Sequence, residues 1–138
     1  MLPLRNSLLL ILLFLFITLA KAQSETPTPE QLAQQQLDAY NARDIDAFME
    51  PYSDSLEIYN FPNQLTGKGK ENIRPGYANM FQNSPNLHCE LVNRIVLGNT
   101  VIDQEKVTGI PGLELLEAIA IYKIKDGKIA QVYFIRKE

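Results

Sequence analysis

The chain has 138 residues, of which 46% are hydrophobic, 21% charged and 9% aromatic. Those proportions fit one globular domain and exclude a disordered tail or a repeat array. Its 13 basic and 16 acidic side chains give a net charge of −3, and one cysteine, Cys89, stands alone.

The N-terminus is set aside first. Arg5 supplies a charged start, Leu8 to Leu19 is a nearly unbroken apolar run, and Ala20-Lys21-Ala22 is a cleavage pattern of the secretory type. Met1 to Ala22 is therefore expected to be a signal peptide, and the mature protein to be secreted or periplasmic. The 12 residues of the run, followed at once by Gln23-Ser24-Glu25, fall short of the roughly 20 needed to cross a bilayer. No stable membrane anchor is expected after cleavage. Removing the leader leaves 116 residues with 11 basic and 16 acidic side chains, a net charge of −5. A chain of that sign is not expected to bind nucleic acid, and one of that length supports one core. A lone cysteine builds neither an intramolecular disulfide nor a Cys-rich zinc site, and with Gln at position 23 it cannot be a lipid anchor at the cleavage site.

Residues 23–28 read as a short polar leader to a domain over 29–138. Thr28, Pro29 and Gln31 form a capping-box start to a helix near 29–41, with Ala33, Leu37 and Tyr40 on its apolar stripe. Asp44 caps a second helix over 44–50 through Ile45, Phe48 and Met49. Alternation in Leu56, Ile58 and Asn60 marks a strand closed by Pro62-Asn63. A loop through Gly67 and Gly69 is expected next, and then a third helix over 72–82 capped by Asn72, which would place Pro75 in the first turn. From Leu87 onward the period becomes two. Gly98-Asn99, Ile110-Pro111-Gly112 and Asp126-Gly127 divide four antiparallel strands near 87–97, 100–108, 114–124 and 128–137. The order is that of an α+β domain.

That order, the tract Tyr40-Asn41-Ala42-Arg43-Asp44-Ile45-Asp46-Ala47-Phe48, the Tyr52 to Pro62 strand with Gly67-Lys68-Gly69-Lys70-Glu71 after it, and the closing Asp126-Gly127-Lys128-Ile129 resemble the SnoaL-like proteins of the nuclear transport factor 2-like superfamily. The resemblance implies a cone-shaped, cystatin-like fold, with three helices packed on a curved, mostly antiparallel sheet around an internal pocket. It implies a small-molecule ligand and a homodimer, but not a single activity, because this fold hosts isomerases, cyclases, dehydratases, hydrolases and non-catalytic binders. The ketosteroid isomerases of the superfamily use an Asp base with a Tyr and a neutral Asp as oxyanion hole. Their positions fall here at Asn60, Gln36 and Ala120. Asn60 cannot accept a proton at neutral pH, so that mechanism is not expected.

Strand pairing nominates the site. A two-residue Gly98-Asn99 turn sets Leu97 opposite Thr100, Arg94 opposite Asp103, Val92 opposite Glu105 and Glu90 opposite Val107. His88, Glu90, Arg94, Asp103 and Glu105 would then share a face. A three-residue turn at Lys125-Asp126-Gly127 would level Ala118, Ala120 and Tyr122 with Phe134, Val132 and Ala130, with Arg136 continuing that face. The expected pocket joins His88, Asp103 and Glu105 as acid or base and Arg94 as a cation for developing negative charge to walls of Asn60, Ala120, Tyr122, Val132, Phe134 and Arg136. The same alternation also fits a solvated face, and Arg94 with Asp103 an ordinary cross-strand ion pair. One histidine with scattered carboxylates lacks a metal-ligand spacing, and Gly67-Lys68-Gly69-Lys70 lacks that of a phosphate loop. Neither cofactor nor metal is expected. The function expected is acid–base chemistry of isomerase, hydratase or cyclase type on a small, partly apolar molecule. Ligand binding without turnover, or a dimeric interaction module, is the alternative.

Overall fold

The computed structural model describes residues 25–137, so the expected signal peptide at 1–22 lies outside the described residues. Helix α1 spans Pro29–Ala42 and opens on the capping box expected of Thr28 and Gln31, with bonds of 2.8 and 3.2 Å between them. It stops at Arg43, which takes the left-handed conformation at φ 54°. Asp44 then accepts from the Ala47 backbone N–H at 3.1 Å and starts α2, Ile45–Met49. The remaining elements are β1 (Tyr52–Asn60), β2 (Gln64–Lys68), α3 (Lys70–Asn83), β3 (His88–Leu97), β4 (Thr100–Thr108), β5 (Leu116–Lys125) and β6 (Lys128–Arg136). Six strands form one sheet in the order β2-β1-β6-β5-β4-β3. Only β1 with β6 is parallel, because β2 and α3 carry the chain away from β1 before the four-strand meander returns to it. The architecture is α+β, with three helices on a mixed, curved sheet.

Packing follows from aromatic side chains. Phe48 of α2 meets Tyr77 of α3 at 4.7 Å between ring centroids, Tyr52 of β1 at 5.3 Å and Phe81 at 5.4 Å, while Tyr40 of α1 stands edge-on to Phe81 at 5.5 Å. These contacts tie all three helices to the first strand. The tract after Tyr40 also secures the sheet edge. The Asn41 amide accepts from the Cys89 N–H at 2.7 Å and donates to the Cys89 carbonyl at 3.0 Å, and Arg43 donates to the Leu87 carbonyl. A side chain thus takes the place of a missing neighbour strand at the exposed edge of β3. At the other end of that hairpin, Gly109 sits at φ 82°, where an added Cβ would come within 2.1 Å of the Asn86 carbonyl oxygen. Only glycine allows the end of β4 to cross the start of β3 so closely.

Four sequence expectations are corrected here. The stretch after Pro62-Asn63 is a strand, β2, not a loop. It is short, exposed and at the sheet edge, and carries no alternating apolar residues. Helix α3 begins at Lys70, not Asn72, because Gly69 at φ 84° caps it and its carbonyl accepts from both Asn72 and Ile73 at 3.1 Å. Pro75 is then interior, and the bond it forfeits belongs to the carbonyl of Glu71, on an exposed side where water can replace it. The β5–β6 turn has two residues, Asp126 and Gly127, both with positive φ, and a bulge between Lys123 and Ile124. This levels Ala118 with Arg136, Ala120 with Phe134 and Tyr122 with Val132, a two-residue shift that keeps these side chains on the expected face, while the bulge buries Ile129 in place of Ala130. The fourth correction bears on the site. The β3–β4 ladder pairs Leu97 with Thr100 and Arg94 with Asp103 as expected, but a bulge between Leu91 and Asn93 leaves Val92 unpaired. Past the bulge Glu105 faces Leu91 and Val107 faces Cys89. Cys89 turns inward and His88 and Glu90 turn out.

Candidate functional site

Sheet and helices enclose a cavity of about 720 Å³. Its walls are mainly apolar, with Leu37, Phe48, Ile73, Met80, Val107 and Ile110 among them. Among the described residues, Glu105 of β4 is the only carboxylate lining it. Position 105 falls on the buried side of β4 together with Val101, Asp103 and Val107. The small Ala118 beside it on β5 leaves room over the carboxylate.

Glu105 ends a chain of buried hydrogen bonds. Tyr52 donates its hydroxyl proton to Gln36 Oε1 at 3.2 Å, Gln36 Nε2 donates to the Tyr122 oxygen at 3.0 Å, and Tyr122 donates to Glu105 Oε1 at 3.1 Å. Every donor in the series points toward the carboxylate, and Gln36 also donates to the Ala33 carbonyl at 3.0 Å. No buried side-chain nitrogen or oxygen among the described residues lacks a partner. The second carboxylate oxygen of Glu105, which takes no part in the chain, therefore reaches the open space of the cavity. Burial pushes the Glu105 carboxyl up to about 7, and the nearby Asp103 charge adds to the rise against the opposing Tyr122 bond and Arg94 charge. Burial also drives Tyr52 and Tyr122 well above the usual phenol range and Tyr77 up to about 12, so these hydroxyls stay protonated as donors.

Asp103, two residues away on the same face, is placed differently. It is 0% exposed and receives two bonds from Arg94, Nε to Oδ1 and Nη2 to Oδ2, both 2.7 Å. Arg94 Nη1 reaches on to Gln34 of α1 at 2.9 Å. The pair closes the end of the cone, and neither member lines the cavity. The structure thus divides the residues singled out in the sequence. Glu105, Tyr122, Phe134 and Arg136 line one cavity. Ala120 and Val132 are buried in the core beside it. Asn60 pairs with Phe134 across β1 and β6, but its amide donates to Gln64 at 3.1 Å outside the cavity. His88 is exposed on the opposite side of the sheet because of the bulge.

Apart from Cys89 of β3, the pocket's other polar groups come from elements the strand argument did not address. Gln36 stands among Leu32, Ala33 and Leu37 on the buried stripe of α1, and that polar residue on an apolar helical face was its signal. Tyr40 and Tyr77 extend from α1 and α3 into the cavity, and Cys89 reaches it from β3. Burial raises the thiol of Cys89 far above its ordinary range, which keeps it a neutral wall group. At the mouth stand Lys68, paired with Glu57 at 3.2 Å, and Arg136. Among the described residues no cluster of His, Cys, Asp or Glu is arranged to hold a metal ion, and no helix is long and apolar enough to cross a membrane.

Comparison with known proteins follows the fold closely. A cystatin-fold protein from Novosphingobium aromaticivorans superposes with a TM-score of 0.74 at 28% identity, covering 80% of this chain and 99% of that one. A SnoaL-like protein of unknown function from Burkholderia thailandensis gives 0.67 at 19% identity, covering 80% and 95%. A candidate polyketide cyclase from Sinorhizobium meliloti gives 0.63 at 21% identity, covering 75% and 93%. The last two share the fold at identities too low to carry more. No curated protein matches the sequence. The SnoaL-like domain matches residues 33–132, which takes in Gln36, Glu105 and Tyr122 and stops just short of Phe134 and Arg136, and the chain belongs to the SnoaL-like family.

Proposed function

We propose that the protein is an acid–base enzyme that binds a small, largely apolar carbonyl compound and moves a proton at the carbon beside the carbonyl, with Glu105 as the proton-transferring group. One observation carries this reading: a single carboxyl, poised near neutrality, offers one oxygen to a mainly apolar cavity while Tyr122 holds the other. A base is most useful when its pKa lies near the working pH. The phenolic and amide donors behind it keep the carboxylate in one orientation. Ring closure of the cyclase type is one use of such a proton transfer, and the Sinorhizobium meliloti protein named above suggests it. The simplest test is exchange of the α-protons of 2-tetralone for deuterium, followed by proton NMR near neutral pH. The wild-type protein is expected to accelerate exchange and Glu105→Gln to lose the acceleration. Equal rates in the two proteins would overturn the proposal.

Binding without turnover is the second reading, supported by Gln36 and Ala120 at the isomerase positions within or beside the cavity and by Asn60 outside it. We also propose export of the mature chain, on the strength of the 1–22 leader, and a homodimer through the outer face of the sheet. There Ile95, Ile102, Ile121, Tyr133, Tyr59 and Leu65 follow one another in register across all six strands. Such a band is a common docking surface, and sedimentation of the wild type against Ile121→Lys would show it as a dimer-to-monomer shift.

A further inference from the structure

We propose that the cavity is built for an organic anion, a ring-sized apolar body whose carboxylate is received by Arg136 at the mouth and whose reacting carbon lies over Glu105. The position of the reacting carbon rests on the acid–base reading above; the anion site does not.

Among the described residues two cations border the cavity, Lys68 and Arg136, and they differ. Lys68 is committed to Glu57. Arg136 has no carboxylate partner and no hydrogen bond among the described residues. Its guanidinium stands over the Phe134 ring at 5.6 Å from the centroid. A cation–π contact positions the group without using its N–H donors, so the planar fork remains available to a carboxylate. Register fixes where that fork lies relative to Glu105. On the inner face Glu105 pairs with Ala118, and Ala118 with Arg136. The two charged residues are thus two strand spacings apart, about 10 Å along the sheet, with only a methyl group between them. That leaves an open floor for an apolar body. Tyr77, overhead on α3, feels both charges, since Glu105 raises its pKa and Arg136 lowers it. Tyr77 lines the same cavity as both.

An anion at Arg136 would oppose ionisation of Glu105. Binding should therefore take up a proton and weaken as pH rises through about 7.

The test uses two dyes with one frame, 8-anilinonaphthalene-1-sulfonate and the uncharged N-phenyl-1-naphthylamine, titrated by fluorescence into the full-length protein. The expected result is that Arg136→Gln weakens the sulfonated dye about tenfold or more, in keeping with loss of a charge-assisted bond, and leaves the neutral dye within about twofold. Arg136→Lys should restore part of the loss, because it keeps the charge and loses the fork. Equal weakening of both dyes, or of neither, overturns the proposal while the apolar pocket stands. If neither dye binds the wild type, the pocket reading fails and the anion site with it. Glu105→Gln separates the two claims. It should keep the Arg136-dependent preference for the sulfonated dye and lose the pH dependence, whereas loss of the preference would overturn the anion site. Retained tetralone exchange in that variant would sink only the acid–base reading.

Discussion

Asp103 and Glu105 stand two residues apart on one face of one strand, and the two ends of the cone treat them differently. At the closed end Asp103 is saturated, with both oxygens held by Arg94 and no path to solvent. At the open end Glu105 is 7% exposed and has one oxygen held by Tyr122 and one facing the cavity. A buried carboxylate with an excellent cationic partner is part of the scaffold, because its charge is already matched. A buried carboxylate with neutral donors keeps an unmatched charge, and its proton becomes exchangeable near neutrality. Position on the strand placed both groups inward; only the partners across the ladder separate their roles.

The largest effect that would break this contrast is at the closed end. Asp103→Asn leaves the Arg94 guanidinium buried without its counter-charge, and chemical denaturation should show a loss of about 3–5 kcal/mol. The double change Asp103→Leu with Arg94→Met should cost less than Asp103→Asn alone, since it removes both charges together. A stable Asp103→Asn with unchanged unfolding would mean that the pair is not structural.

Glu105→Gln should do the opposite. Glu105 holds its proton up to about pH 7 in the folded protein, against a reference value of 4.5. Between those values the folded state binds more protons than the unfolded one, so its stability falls as pH rises through that window. The glutamine variant escapes the penalty. It should be more stable than wild type by up to about 3 kcal/mol at pH 8 and equal to it below about pH 4, in parallel denaturation series at the two pH values. A gain at low pH, or none at high pH, would contradict the unmatched-charge description.

Smaller changes sharpen the picture. Tyr122→Phe removes the donor to Glu105 and the acceptor for Gln36 Nε2, at a cost of about 1–2 kcal/mol, and should move the Glu105 titration upward, since the lost bond favours the charged form. His88→Ala should change stability by less than about 0.5 kcal/mol and leave neutral-dye binding unaltered, as befits an exposed side chain beyond the Val92 bulge.

That bulge also explains how much of the site was legible in the sequence. The helix caps at Thr28 and Asp44, the Gly98-Asn99 turn and the Arg94–Asp103 pairing follow from local chemistry and came through unchanged. Strict alternation carried past Val92 placed His88 and Glu90 inside. The sequence carries a partial sign of the change of phase, since the apolar Leu87, Cys89 and Leu91 are odd whereas Arg94, the partner of inward Asp103, is even. A one-residue bulge is what lets both sets face inward. β4, with no such change, placed Val101, Asp103, Glu105 and Val107 together as expected. The polar chain behind Glu105 joins α1, β1, β4 and β5, contacts spanning up to 86 residues of sequence, and no local pattern encodes a partnership of that range. β2 escaped notice for a related reason: a short exposed edge strand owes its form to its neighbour β1 rather than to its own residues.

The central claim is that Glu105 carries a titratable proton at neutral pH inside the cavity, and carbon-13 NMR of protein labelled at the glutamate side-chain carboxyls measures it directly. One resonance should titrate with a midpoint of about 7, in keeping with burial and the Asp103 charge, and should be missing from Glu105→Gln. If every glutamate carboxyl titrated in the ordinary range, below about pH 5, the carboxyl would be a solvated wall group and the account of the site would be wrong.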